Sequence, residues 1–177
     1  MNDWIIIDNM AIRDIAIMVK RGIKTTSPIT LESKSTTGGK AKQYDLFKYL
    51  KNNSAIDKIK EKILLNLDKH LQLKLSNLKL LSAWTVLGYK HSYHTLHKHN
   101  DKKNHVASVL YLSVPNSKCK KDNSFFYVYK RDQQINYGSH KPRVGDLIIF
   151  PVWLWHGAYP QSKGLRQTLN LDFEICQ

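Results

Sequence analysis

The chain has 177 residues, 28 basic and 14 acidic, for a formal charge of +14, with 42% apolar and 10% aromatic content. That length suits one domain with a substantial core and is short for two, so residues 1–177 are expected to form a single domain. No run of about 18 apolar residues occurs, which excludes a transmembrane helix and leaves no membrane partner to expect.

Two cysteines, Cys119 in a lysine-rich loop and Cys176 near the end, form neither a metal-ligand spacing nor a disulfide framework. The opening "MNDWIIIDNM" lacks a basic n-region and a small-residue cleavage site, so the expected location is cytoplasmic. Only Arg13, Arg21, Arg131, Arg143 and Arg166 are arginines. A lysine-dominated surface attracts polyanions without sequence preference, whereas base reading favours arginine forks. Net charge alone therefore admits nucleic acid as a partner.

The apolar run "WIIID" predicts a first strand, and "MAIRDIAIMVKRGI" carries helical spacing. Residues 24–42, "KTTSPITLESKSTTGGKAK", form a long polar connection of the kind that serves as a lid. "YDLFKYLKNN" and "SAIDKIKEKILLNLDKHLQLKL" read as two helices. The second carries Ile56, Ile59, Ile63 and Leu67 on one stripe, with Ser54 as its expected N-cap. From Asn77 onward the period becomes two, in "LKLLSAWTVLGY", "HVASVLYLSV", "SFFYVYK", "DLIIFP" and "RQTLNLDFEI". Turn clusters separate these runs, among them the stretch 131–142, a second candidate lid. The order predicts an α+β protein. Residues 1–75 would be mainly helical support with one early strand, and residues 76–177 an antiparallel barrel or jelly roll braced by those helices.

Four of the eight histidines, His91, His94, His97 and His99, fall within "HSYHTLHKHND". Residues two apart on an extended strand point to one side, so His99 and Asp101 would converge. A distant histidine would complete a two-histidine, one-carboxylate face, which leaves open positions and suits non-haem Fe(II). His156, embedded in "IIFPVWLWHGAYP", is the best third corner, and His140 in its polar turn a weaker one. On the last strand Arg166, Thr168, Asn170, Asp172 and Glu174 share one face. That face meets either solvent or a pocket, where Arg166 would offer a fork for a carboxylate.

"HND", then Tyr111 in "VASVLYLSVP", then "GDLIIFPVWLWHGAYP", then Arg166 resemble the iron- and 2-oxoglutarate-dependent dioxygenases, in particular the small prolyl-hydroxylase-like members and uncharacterised oxygenases of bacteria and phages. The resemblance spans roughly residues 84–173. It implies a double-stranded β-helix (jelly roll) with Fe(II) held by His99, Asp101 and His156. It implies further that Arg166 and Tyr111 clamp the distal carboxylate of 2-oxoglutarate, with Thr168 as a helper. Tyr89, ten residues before His99, matches a position that faces the co-substrate. Such relatives often carry His-x-His, and sliding the match by two residues makes His97 and His99 the pair. That register needs two extra residues before Tyr111, so the spacing favours Asp101.

The implied reaction consumes 2-oxoglutarate and O2, releases succinate and CO2, and hydroxylates a substrate that is a protein, a small molecule or a nucleic acid. Trp153, Trp155 and Phe150 would either wall the site or simply pack. Two alternatives stand beside this reading. One is a cupin-like metal enzyme that does not use 2-oxoglutarate, because "GDLIIFPVWLWH" also resembles a cupin motif. The other is a non-catalytic jelly roll that binds nucleic acid through its lysines.

Overall fold

The computed structural model describes residues 3–29, 37–72, 75–119, 121–131, 133–161 and 163–176. The chain enters through strand β1 (Ile6–Asn9) and helix α1 (Arg13–Ile23). Strands β2 (Thr37–Gly38) and β3 (Lys42–Asp45) and helices α2 (Phe47–Leu50) and α3 (Ser54–Leu71) follow. Then come β4 (Asn77–Gly88), β5 (Tyr93–His97), β6 (His105–Ser113), β7 (Phe125–Arg131), β8 (Gln134–His140), β9 (Asp146–Pro151), β10 (Trp155–Ala158) and β11 (Arg166–Cys176). No helix among the described residues is long and apolar enough to cross a membrane.

Two antiparallel sheets result, the architecture of a double-stranded β-helix. Six strands run in the order β1-β9-β6-β11-β4-β3, and five run β2-β5-β10-β7-β8. The six-stranded sheet is covered on one face by helices. Ile15, Val19, Ile56, Ile59, Ile63 and Leu67 pack there against Leu78, Leu110, Leu147, Leu169, Leu171 and Phe173. Each such side chain, buried in full, contributes about 1.5–3 kcal/mol. The opposite face of that sheet meets the five-stranded one, where Val109, Tyr111, Ile148 and Phe150 pack with Phe125.

The α+β order holds as expected, with differences at its edges. Among the described residues of the first 75 there are three strands, where one was expected: β1 and β3 supply the outer strands of the larger sheet and β2 an edge of the smaller. The N-cap of α3 is Asn53, not Ser54: its side chain accepts the Ala55 N–H at 3.0 Å. The stretch 131–142 is mostly strand β8, hairpinned onto β7, and so is not a free lid. Of the polar connection 24–42, residues 30–36 lie outside the described residues.

Two irregularities position the site. Where β11 pairs with β4, Asp172 faces Ser82 but Phe173 faces Leu80, so Leu81 is an extra residue. Such a bulge turns the following side chains over, and Ser82 and Trp84 join Asp172 on the face turned from the helices. Where β10 pairs with β5, His156 faces His97 and Ala158 faces His94. Three steps on β5 match two on β10, so His94 and His97 come to one side, although a regular strand would send them to opposite faces.

Candidate metal centre

His156 lies on β10 between β5 and β7, opposite His97 on one side and Tyr127 on the other. His99 follows β5 and is fixed by its N–H bond to the Val152 carbonyl at 2.9 Å. Ligand nitrogens of His97, His99 and His156 all lie within 4.8 Å of one another, a set able to hold a metal ion. Each ring is tied through Nδ1. His97 bonds the Thr95 carbonyl at 2.8 Å, His156 the Leu154 carbonyl at 2.9 Å, and His99 the Asp172 carboxylate at 2.8 Å.

A carbonyl or an ionised carboxylate can only accept, so each Nδ1 carries the proton and each Nε2 keeps its lone pair. Ser82 donates to the other Asp172 oxygen at 2.8 Å, which fixes the carboxylate behind His99. Phe150 and Phe125 stack around His156, with ring centroids 4.5 and 5.6 Å away. Burial pushes the His156 pKa well below 6.5, and the charges of His97 and His99 add to it. Burial also lowers that of His97. Both shifts favour the neutral imidazole at His97 and His156, as ligation requires.

Asp101, expected beside His99, is not brought to this centre. Its carboxylate is exposed and pairs with Lys98. β5 ends at His97, so the alternation argument for His99 and Asp101 has no strand to act on. Residues 98–104 separate β5 from β6, and the clustered set is that of the slid register, with His97 standing where His99 was expected and His99 where Asp101 was expected. An Asp172→Asn protein should bind metal about 10–100-fold more weakly, because the partner orienting His99 loses its charge. Competition with a chromophoric chelator measures this, and an unchanged affinity would count against the role given to Asp172.

A cavity of about 170 Å³ opens beside the three rings, lined by residues of both sheets. Arg166, 3% exposed, reaches it from β11 and donates through Nη1 to the Tyr159 carbonyl at 3.2 Å. Tyr111, Thr168 and Asn170 line the same space, so the polar face of β11 meets a pocket from Arg166 to Asn170, whereas Glu174 at its far end pairs with Lys79 at the surface. Burial pushes the Tyr111 phenol up to about 12 even though the Arg166 guanidinium opposes it, so it stays protonated and able to donate. Asn170 Nδ2 donates to the Thr168 hydroxyl at 3.1 Å. None of the described lining residues is a carboxylate.

Sequence reasoning passed over three contributors. His94 lines the cavity because of the β5 bulge. Burial first, then the charges of Arg166, His97 and His99, lower its pKa to about 3. Asp172 was visible only as one polar residue of β11. Gln161 is buried and its Oε1 has no partner among the described residues. Gly88 pairs with Arg166 across β4 and β11, and a Cβ there would stand 2.7 Å from that Oε1 and 3.7 Å from Arg166 Nε. Gly88→Ala should therefore push the Gln161 side chain aside and leave Arg166, at ordinary contact distance, in place, so the KM of any anion bound to the guanidinium should change little. A KM raised about tenfold would show that Arg166 moves with Gln161.

Other expectations fall outside the cavity. Tyr89 is exposed and lines a separate groove with Lys40, Lys42 and Lys90. It is the residue next to Gly88, where β4 ends, and so leaves the sheet face that Val86 and Trp84 share. Trp153 and Trp155 line another groove, and of the expected aromatic wall only Phe150 touches His156. His140 bonds Asp146 at 2.7 Å and ties the β8–β9 turn. That turn needs Gly145, whose φ of +92° suits glycine and whose N–H bonds the Tyr111 carbonyl at 2.8 Å.

The lowered histidines also set a pH dependence. An unfolded chain protonates its histidines near the usual 6.5, whereas the folded one resists until the lowered values, about 3 for His94. Their contribution is complete above pH 6.5 and is lost as pH falls through that window. The urea midpoint of chelator-treated protein should drop from about pH 7 to about pH 5. A midpoint constant over that range would contradict the burial of these rings.

A family profile described as "Putative 2OG-Fe(II) oxygenase" matches residues 82–172, half of the chain. No curated protein is similar enough in sequence to stand as a relative. Among solved structures, the fold resembles a prolyl-4-hydroxylase of Pseudomonas putida at 17% identity and TM-score 0.62, covering 98% of this chain and 93% of that one. It resembles a viral collagen prolyl hydroxylase of Paramecium bursaria Chlorella virus-1, solved with 2-oxoglutarate, at 14% identity, TM-score 0.65 and 97% coverage of both chains. It also resembles HygX of Streptomyces hygroscopicus, solved with nickel, 2-oxoglutarate and hygromycin B, at 14% identity and TM-score 0.70, covering 98% and 84%.

Proposed function

The chain belongs to the 2OG-Fe(II) oxygenase family, and from that premise we propose that it is an Fe(II)- and 2-oxoglutarate-dependent hydroxylase whose metal is held by His97, His99 and His156. The observation that carries this reading is the cavity's charge. It holds a buried guanidinium, three imidazoles that face one point, and no described carboxylate. A buried cation left uncompensated costs several kcal/mol, so such a space is built to receive an anion. A dicarboxylate that reaches from a dication to Arg166 fits both ends.

When bound, iron would supply oxygen activation, with 2-oxoglutarate oxidised to succinate and CO2 as a substrate C–H bond is hydroxylated. The chain's own part is orientation and the exclusion of water. Arg166 presents a planar fork to the distal carboxylate, and the protonated Tyr111 phenol donates beside it. The Thr168 hydroxyl, which accepts from Asn170, keeps its own proton to donate into the cavity. Phe125 and Phe150 keep the His156 side dry. At about 170 Å³ the cavity is smaller than the roughly 300–1,000 Å³ of pockets for drug-sized ligands. It therefore suits the co-substrate alone, and the primary substrate is met at its mouth.

The direct test supplies Fe(II), 2-oxoglutarate and oxygen and follows succinate. Slow formation that a chelator stops supports the reading. No succinate, together with no calorimetric binding of 2-oxoglutarate, would overturn it. The all-imidazole donor set favours a second reading, a cupin-like metal enzyme without 2-oxoglutarate, since three histidines also suit zinc. That enzyme has no use for Arg166, and metal-dependent turnover indifferent to 2-oxoglutarate would identify it.

A further inference from the structure

The helices pack against the six-stranded sheet, and among the described residues no helix covers the outer face of the five-stranded sheet. A groove of about 910 Å³ runs over that face, lined by Leu96, Val128, Ile135, Tyr137, Trp153 and Trp155 among others. Trp155, Val128 and Tyr137 stand in register on β10, β7 and β8, so they share one side of the sheet. The two aromatic side chains are two strand spacings apart, about 9–10 Å. Trp155 is 45% exposed and Tyr137 77%.

Lysines interleave with these rings. Lys98, Lys103 and Lys130 line the groove, and the Lys98 ammonium stands 5.8 Å from the Trp155 ring centre. Just past the end of β10, the Tyr159 ring packs on Phe126 and has the Lys121 ammonium 5.9 Å away. The groove's acids are engaged: Asp101 pairs with Lys98, and Asp3 accepts the Lys130 N–H at 2.9 Å.

We propose that this outer face is a docking surface for single-stranded nucleic acid, with bases stacking on Trp155 and Tyr137 and phosphates meeting Lys98, Lys103 and Lys130. Exposed rings on a sheet, spaced so that separate bases can lie on them and flanked by cations, are what a flexible polyanion with π-faces requires. The formal charge of +14 attracts such a strand and opposes a second copy of the chain on the same face. Few arginine forks are present, so binding tolerates any sequence. The proposal does not depend on the metal centre.

The test is fluorescence anisotropy of labelled oligo(dT) and oligo(U) with the full chain. Binding should persist in chelator and weaken linearly with log salt. Tyr137→Ala should weaken it about tenfold at an unchanged salt slope, and Tyr137→Phe should restore it. Lys103→Gln and Lys130→Gln should each lower the slope by about 0.7. No binding at low salt would overturn the proposal. So would binding indifferent to Tyr137→Ala and displaced equally by heparin, tighter binding of polyglutamate, or a dimer that Tyr137→Ala dissolves.

Discussion

Replacing His97 by alanine is expected to remove metal-dependent turnover of 2-oxoglutarate, whereas Asp101→Asn leaves it within about twofold. The loss at His97 should exceed the roughly 100-fold that an outer-shell change produces, since a donor itself is gone. The Asp101 carboxylate is exposed on its pair with Lys98, and surface pairs of that kind contribute about 0–1 kcal/mol. His97→Asp adds a sharper comparison. It puts a carboxylate among the three clustered donors in place of one imidazole, and it should keep iron where alanine does not. Titration of each variant with Fe(II) under argon, followed by succinate assay, reads both effects. Loss of metal in the Asp101 variant with retention in the His97 variant would reverse the assignment.

The second large effect belongs to Arg166. Each hydrogen bond between charged groups is worth about 1.5–3 kcal/mol, and a bidentate fork makes two. Arg166→Met keeps most of the buried stem while removing the charge, and should raise the KM for 2-oxoglutarate about 10²- to 10³-fold. The buried cation also costs desolvation, so the same variant should be no less stable than the native chain. Its urea midpoint separates loss of binding from loss of fold. A KM unchanged in a folded Met variant would remove Arg166 from the clamp.

Much of this was legible where hydrophobic period and strand coincide. "DLIIFP" is β9 residue for residue, because a continuous apolar run bounded by turn residues has one reading in a sheet buried on both faces. The polar face of β11 was visible as alternation. That it faces a cavity followed only from the second sheet, which no local pattern announces. The pairing of His97 and His99 was visible as the slid register and was set aside on the count of residues to Tyr111, which says nothing of how the loop between β5 and β6 folds. The place of His94 was hidden, because the irregularity between His94 and His97 reverses the facing that alternation predicts. β8 was missed because Gln134–His140 is a polar edge strand with little period to see. Asp172 gains its role from Leu81, a residue on another strand.

The proposed centre needs imidazoles from β5, from the loop that follows it and from β10 to meet at one ion. Anaerobic crystals soaked with Fe(II) and 2-oxoglutarate test it most directly. Density for an ion bonded to Nε2 of His97, His99 and His156, with a dicarboxylate running from it to Arg166, is the predicted result. An ion held by Asp101, or a His97 ring turned out of the cavity, would contradict it.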